Sequence, residues 1–124
     1  RTNEYALLSY NGVFLKLDSK GNEVSKSRIP FPTNFGINGG AITQNDRVLV
    51  SIPTLNKIME FNFSGQSTWE STITMPGIPT KLPNGNVVAP SLNGSKIVES
   101  QMDGKIIYES APNSYRSIKV GKAP

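Results

Sequence analysis

The stretch Leu82-Pro-Asn-Gly-Asn-Val-Val-Ala-Pro-Ser-Leu-Asn-Gly-Ser-Lys-Ile-Val-Glu-Ser-Gln-Met-Asp-Gly-Lys-Ile-Ile-Tyr-Glu109 contains three short apolar runs separated by glycine-marked turns. Asn-Gly and Asp-Gly pairs favour tight hairpin turns, because these residues accept the positive φ that such turns require. Short apolar runs bounded by such turns are typical of β-strands. The stretch therefore predicts three antiparallel strands of an up-and-down meander.

Imperfect copies of this pattern occur twice upstream. The glycines of the last turn in each copy, Gly21, Gly65 and Gly104, lie 44 and 39 residues apart. Charged residues recur five positions before these glycines and five positions after them, at Lys16, Glu60 and Glu99 and at Lys26, Glu70 and Glu109. A period of roughly 40 residues with four strands is typical of a β-propeller blade, which buries its apolar faces only against its neighbours.

We therefore predict an all-β fold of antiparallel four-stranded β-propeller blades, with about three blades in a single domain that spans residues 1–124. The blade-like repeats cover about residues 4–30, 35–73 and 77–110, and a C-terminal strand covers 112–122. The first copy lacks an innermost strand, whereas the C-terminal strand resembles the entry into a further unit. The two terminal segments are therefore predicted to share one blade, which would protect sheet edges.

Two segments carry a family resemblance. Leu82-Pro-Asn-Gly-Asn-Val-Val and Ser100-Gln-Met-Asp-Gly-Lys-Ile-Ile-Tyr resemble blades of the bacterial propellers with quinoprotein-like, NHL and arylsulfotransferase-type repeats. In those families a Leu-Pro-Asp/Asn-Gly turn joins the first two strands and an Asp-Gly-Lys turn joins the last two. The resemblance covers residues 35–110 well and residues 4–26 less well. It implies a propeller architecture in a bacterial protein, favours a periplasmic or extracellular location, and is not specific for an activity.

The number of blades leaves three alternatives. Propellers carry typically 4–8 blades, and about three are visible in this sequence. The chain is then a piece of a longer protein, or a half-ring that two copies complete, or a β-meander or sandwich of another kind.

The amino-acid composition excludes several kinds of functional site. The chain has no cysteine and no histidine, which excludes disulfides, thiolate metal sites and the usual general base near neutral pH. No apolar run approaches the ~20 residues of a membrane span, and no signal peptide is visible. We predict no cofactor and no metal. The net charge of +4 comes from scattered bases, and the basic C-terminus is interpreted as a solvated tail, which argues against nucleic-acid binding.

The regular charged and aromatic positions have structural interpretations. Glu60 and Glu99 are expected to pair across strands with residues such as Lys57 and Lys96 rather than to serve acid–base chemistry. The polar residues before the turns, Asp18, Asn62 and Asp103, are expected to cap turns rather than to bind calcium. Trp69 and Tyr108 occupy the same place in the repeat and are expected to fill the space between adjacent blades, with a sugar-stacking platform as the alternative.

A ligand site would lie at the axis of the ring, lined by the innermost strands and their entry loops at 34–43, 79–82 and 114–119. The residues there best suited to hold an anionic or polar group are Lys81, Tyr115 and Arg116. No catalytic motif is visible. The leading hypothesis is a non-catalytic propeller segment that binds or scaffolds a protein, peptide or glycan, joined to further blades of a parent chain or of a homo-oligomer. The alternative is a fragment of a larger propeller enzyme, quinoprotein-like or of the sulfotransferase or lyase type, whose catalytic residues lie outside this chain.

Overall fold

A computed structural model describes residues 4–9, 12–29, 39–43, 47–93, 95–112 and 120–123. In these ranges the chain forms eleven β-strands and one short 3-10 helix at Pro53–Leu55. None of the helical structure in the described ranges has the length and apolar character needed to cross a membrane.

The strands form three consecutive antiparallel sheets. We call them blade 1, with β1 (Tyr5–Leu8), β2 (Val13–Leu17) and β3 (Glu23–Arg28); blade 2, with β4 (Gly39–Thr43), β5 (Arg47–Ile52), β6 (Lys57–Asn62) and β7 (Ser67–Thr72); and blade 3, with β8 (Thr80–Lys81), β9 (Val87–Ser91), β10 (Lys96–Ser100) and β11 (Ile106–Glu109). Each strand pairs with the next one along the chain within its sheet. The predicted all-β fold of propeller-type blades is therefore confirmed.

Each blade ends in the same tight turn between its last two strands. The turn glycines Gly21, Gly65 and Gly104 have φ of 87°, 86° and 86°, in the left-handed region that favours glycine. The side chains before them cap the turns, as expected: Asp18 Oδ1 accepts from the backbone of Lys20 and Asn22, each at 2.9 Å. Asn62 does the same in blade 2, through its own Oδ1.

A β-bulge follows at one repeated position in every blade. The register between the last two strands shifts after Lys16, after Glu60 and after Glu99, which occupy the same place in the repeat. The extra residue of the outer strand is Val24, Thr68 or Ile107. A bulge increases local twist and redirects side chains. In blade 2 the extra residue, Thr68, lies with its Oγ1 3.1 Å from Glu60 Oε1.

The blades stack face to face, and the core lies between them. Strand β5 shows why, because its successive side chains point to opposite faces. Val48, Val50 and Ile52 pack with Phe14 and Ile29 of the blade 1 region. On the other face, Leu49 packs with Ile58, Ile73 and, from blade 3, Val87, Ala89 and Val98. Strand β5 is thus buried on both faces from Val48 onward.

The described part of the C-terminal segment, residues 120–123, lies against blade 3. Thr80 Oγ1 donates to the carbonyl of Val120 at 2.7 Å, and Lys122 Nζ lies 3.6 Å from Glu99 Oε1. These residues are not assigned to a strand, and most of the predicted strand at 112–122 falls outside the described residues. Blade 1 has three strands among the described residues. Sharing of one blade by the two ends of the chain stays a prediction.

Candidate functional site

Of the three residues predicted to bind a ligand, Lys81 belongs to the described part of the chain. It lies on β8, the innermost strand of blade 3. Tyr115 and Arg116 lie outside the described residues, as do positions 34–38 of the predicted entry loop. The predicted grouping of these three side chains therefore remains a prediction, and the site is built from the surroundings of Lys81.

Lys81 reaches across to a buried carboxylate of blade 2. Its Nζ lies 3.0 Å from Oε2 of Glu60, whose side chain is 3% exposed. Glu60 also accepts from Thr68 Oγ1 at 3.1 Å, and Arg47 Nη1 lies 3.4 Å from its Oε1. One buried carboxylate is thus surrounded by two cations and one hydroxyl, drawn from β5, β7 and β8. We call these four residues the Glu60 cluster.

The cluster determines the ionisation of Glu60. Burial by itself raises the pKa of the carboxyl group, because it disfavours the charged form. The hydrogen bond and charge of Lys81, with the hydrogen bonds of Thr68 and Arg47, outweigh burial and hold the pKa below the ordinary 4.5. Glu60 is therefore ionised at neutral pH, paired and buried.

An equivalent arrangement surrounds Glu99 in blade 3. Asn86 occupies the position in the repeat that Arg47 holds in blade 2, and its Nδ2 donates to Glu99 Oε2 at 2.9 Å. Lys122 approaches Glu99 as Lys81 approaches Glu60. At the bulge, Ile107 replaces Thr68 and has no hydroxyl to donate. The carboxylate at this place in the repeat therefore has the same role twice, as the acceptor for a lysine that approaches from the next segment of chain.

Blade 1 has the same contact with the charges exchanged. Lys16 occupies the position of Glu60, and its Nζ lies 4.0 Å from Oε1 of Glu4, which aligns with Arg47. The Lys16 ammonium also lies 5.3 Å from the centre of the Phe63 ring in the β6–β7 turn of blade 2. The charged residue at this position thus contacts the next blade in blades 1 and 2, and the chain segment 120–123 in blade 3.

The prediction that Glu60 and Glu99 pair with residues such as Lys57 and Lys96 was wrong. Lys57 pairs with Glu70 at 3.0 Å, and Lys96 pairs with Glu109 at 3.8 Å, within their own blades. The reason is the alternation of side chains along a strand: residues three positions apart point to opposite faces of the sheet. Lys57 therefore faces away from Glu60, and Lys96 away from Glu99.

The two repeated aromatic residues have different surroundings. Trp69 packs against the core between blades 2 and 3 and donates from Nε1 to the carbonyl of Gln101 at 3.2 Å, so its predicted place between blades is confirmed. Tyr108 is 54% exposed. The expectation for Tyr108 was wrong for the described residues, because none of them forms a sheet on that side of blade 3.

In the described ranges, no three or more Asp or Glu side chains come together in a group that could hold a metal ion, and the chain has no His or Cys. The acids of these ranges instead cap turns, as Asp18 and Asp103 do, or pair with single cations, as Glu60, Glu70 and Glu109 do.

Arg47 and Thr68 are the members of the Glu60 cluster that sequence reasoning missed. For Arg47 a signal existed in the repeat, since Asn45-Asp-Arg-Val-Leu aligns with Asn84-Gly-Asn-Val-Val and places Arg47 opposite Asn86.

No protein-family model matches the chain, and no curated protein matches it. Solved structures do. A streptogramin B lyase is 23% identical with a TM-score of 0.64 over 90% of this chain and 42% of the lyase. A catalytically inactive virginiamycin B lyase from Staphylococcus aureus with quinupristin is 21% identical with a TM-score of 0.64 over 94% of this chain and 44% of the lyase. BamB from Moraxella catarrhalis is 18% identical with a TM-score of 0.57 over 88% of this chain and 34% of BamB.

These likenesses show the fold. The chain is built of β-propeller blades, in agreement with the resemblance to quinoprotein-like repeats. It spans less than half the length of the structures it resembles. Because one fold hosts many functions, the activities of these neighbours do not transfer with the architecture.

Proposed function

We propose that the chain is a non-catalytic β-propeller module that binds a protein, peptide or glycan partner. The observation that carries the proposal is the state of Glu60. General acid–base catalysis is most efficient when the pKa of the group lies near the working pH. The pKa of Glu60 is instead lowered, away from neutral pH. Both of its carboxylate oxygens are engaged, one by Lys81 and the other by Arg47 and Thr68. The carboxylate is placed to join blades rather than to move protons.

The same cluster supplies the charge for binding. Two cations, Arg47 and Lys81, surround one carboxylate, so the cluster carries a local excess of one positive charge. Their side chains are 44% and 32% exposed, and the Arg47 guanidinium has further N–H donors to offer. We expect this surface, together with Tyr115 and Arg116 as predicted from sequence, to bind an acidic group of the partner.

Peptide and glycan arrays probed with the labelled chain test this proposal, followed by calorimetry with the strongest hit. We expect binding to acidic sequences or acidic sugars and a loss of at least ~10-fold in affinity for Arg47→Gln and for Arg116→Ala. Lys105→Ala is the matched control, because it removes an exposed positive charge from the β10–β11 turn of blade 3. An absence of binding on both arrays, or equal binding by all three variants, would overturn the proposal.

A second candidate is supported by the likeness to the two lyases. In that case the chain is a fragment of a larger propeller enzyme of the lyase type. The inactive Staphylococcus aureus lyase carries alanine in place of a histidine, whereas this sequence contains no histidine. Activity of that kind would therefore use residues outside this sequence. Incubation of quinupristin with a longer protein that contains this chain, followed by mass spectrometry, separates the two candidates: conversion by the longer protein supports the enzyme fragment, and no conversion supports the non-catalytic module.

A further inference from the structure

The guanidinium of Arg47 is only partly engaged in the Glu60 cluster. Its Nη1 contacts Glu60 Oε1 at 3.4 Å, which is longer than the roughly 2.7–2.9 Å of a strong charge-assisted hydrogen bond. Among the residues that the structure describes, none accepts from its Nε or Nη2. These two atoms form one edge of the planar guanidinium, and such an edge matches the two oxygens of a carboxylate. Arg47 therefore presents an open two-donor edge beside Glu60.

Lys81 also has donors that the cluster does not use. Its Nζ contacts Glu60 Oε2 at 3.0 Å, and an ammonium group carries three N–H donors. No other residue of the described ranges accepts from this group. Arg47 lies on β5 of blade 2 and Lys81 lies on β8 of blade 3. Both walls of the site thus belong to this chain, and the site is independent of any further blade.

Glu60 determines the local charge that these donors present. Its side chain is 3% exposed and both of its oxygens are engaged, so the ionised carboxylate stays between the two cations. Two positive charges and one negative charge leave a single positive charge. A monoanion then makes the group neutral, whereas a dianion places excess negative charge beside a buried carboxylate. In the Born description the cost of removing an ion from water grows with the square of its charge, whereas the attraction grows only in proportion. The cluster is therefore suited to a monoanion.

The surroundings favour an acidic peptide side chain over an acidic sugar. Trp69 is the cross-strand partner of Glu60 and is the aromatic residue that a sugar could have used as a platform. It packs against the core between the blades, and its Nε1 donates to the carbonyl of Gln101 at 3.2 Å. The indole is thus committed to the interface between blades. A carboxylate on a flexible peptide side chain needs no such platform.

We propose that the Glu60 cluster binds one aspartate or glutamate side chain of a protein partner, and that Glu60 makes the site selective for a single negative charge. The partner's carboxylate accepts from the Nε–Nη2 edge of Arg47, with Lys81 as the second donor. Glu60 is a positioning residue that holds the two cations and disfavours doubly charged groups such as a phosphate monoester. The inference rests on the proposed function and names the chemistry of its ligand.

A peptide array tests the selectivity. Each sequence is synthesised in three versions that differ at one position, which is glutamate, phosphoserine or glutamine, and calorimetry follows for the set with the strongest signal. Near pH 7 a phosphoserine carries about 1.5 to 2 negative charges. We expect the wild-type chain to bind the glutamate version at least ~5-fold more tightly than the phosphoserine version and ~10-fold more tightly than the glutamine version.

Glu60→Gln raises the local charge from one to two and should reverse the preference, so that the phosphoserine version binds at least ~5-fold more tightly than the glutamate version. Glu70→Gln is the matched control, because it removes the same charge from the same blade at a half-exposed position that pairs with Lys57. It should keep the wild-type preference. Arg47→Lys keeps the charge but removes the planar edge, and it should weaken glutamate binding at least ~10-fold. Far-UV circular dichroism verifies that each variant is folded.

The outcomes separate this inference from the proposed function. The inference is overturned by equal binding of the glutamate and phosphoserine versions to the wild-type chain, by a preference that Glu60→Gln leaves unchanged or that Glu70→Gln also reverses, or by full binding of Arg47→Lys. In each of these cases an acidic partner still binds and the proposed function stands. Binding to acidic glycans alone also overturns the inference and leaves the proposed function in place. An absence of binding to peptides and glycans alike overturns both.

Discussion

Glu60 of blade 2 and Lys81 of blade 3 join two neighbouring sheets through a carboxylate–ammonium contact of 3.0 Å. The apolar packing on either side of this contact favours burial but has no direction of its own. A buried ion pair is weak evidence for net stability, yet it penalises any alignment of the sheets that leaves the carboxylate unpaired. We infer that the contact fixes the relative position of blades 2 and 3.

Removal of the two members of this pair should have unequal effects. Lys81→Met leaves a buried carboxylate with Arg47 as its remaining cation, and we expect a loss of about 2–4 kcal/mol in the free energy of unfolding. Glu60→Gln leaves two cations that can turn to solvent, and we expect a smaller loss of about 1–2 kcal/mol. Urea melts at neutral pH measure both. Lys105→Met is the control for loss of an exposed lysine, and an equal or reversed order would contradict the cluster geometry.

Acid should remove the contribution of Glu60 to the free energy of unfolding. Its pKa in the folded chain lies below the ordinary 4.5, so its contribution is fully present above that value and is lost as the pH falls through the lower folded pKa. We therefore expect the difference in unfolding free energy between the wild type and Glu60→Gln to be constant near neutral pH and to shrink below about 4.5. Urea melts at a series of pH values provide the measurement. A difference that persists unchanged to about pH 3 would refute the lowered pKa.

Gly104 should be far less tolerant of a side chain than Gly21. Both have positive φ, at 86° and 87°, so valine at either position should cost about 1–3 kcal/mol in backbone strain. A Cβ on Gly104 would also lie 2.5 Å from the carbonyl oxygen of Glu70 in blade 2, which should add at least ~1 kcal/mol to the loss. Lys105→Ala, one residue further on, should change stability by less than ~0.5 kcal/mol.

Urea melts of these three variants provide the comparison. Equal losses for the two glycines would contradict the close approach of blade 3 to blade 2.

The bulge position of blade 3 should accept the hydroxyl that blade 2 has. Ile107 aligns with Thr68, whose Oγ1 donates to Glu60 at 3.1 Å. Ile107→Thr should place a donor near Glu99 and stabilise the chain by about 0.5–1 kcal/mol relative to Ile107→Val, which has the same shape without the hydroxyl. Thermal unfolding of the two variants tests this equivalence, and a threonine variant no more stable than the valine variant would show that the two bulges differ.

The sequence predicted the strands, the turns and the order of the sheets because these depend on local signals. Glycines that need positive φ and apolar runs of strand length lie within one hairpin and can be recognised without knowledge of distant contacts. The repeat then extended this information: the match of Trp69 with Tyr108 correctly placed Trp69 between blades. Tyr108 differed because the same inference assumed a following sheet that the described residues do not include.

The partners of Glu60 and Glu99 could not be found by looking along their own strands. Glu60 contacts Lys81, which is 21 residues away in the next blade, and such a pair requires the spatial relationship of two sheets. Alternation along β6 could have excluded Lys57 as the partner, since three positions separate the two residues. Tyr115 and Arg116 remain predicted members of the ligand site.

The stacking of blade 3 on blade 2 can be measured through Trp69, which packs between the two blades. Trp69 is the only tryptophan in the sequence, so its indole N–H resonance can be assigned without ambiguity. Its Nε1 donates to the carbonyl of Gln101 in blade 3. We predict nuclear Overhauser contacts from the indole N–H to Gln101 and its neighbours, and slowed exchange of that proton with solvent. Contacts confined to residues of blade 2, with rapid exchange, would contradict it.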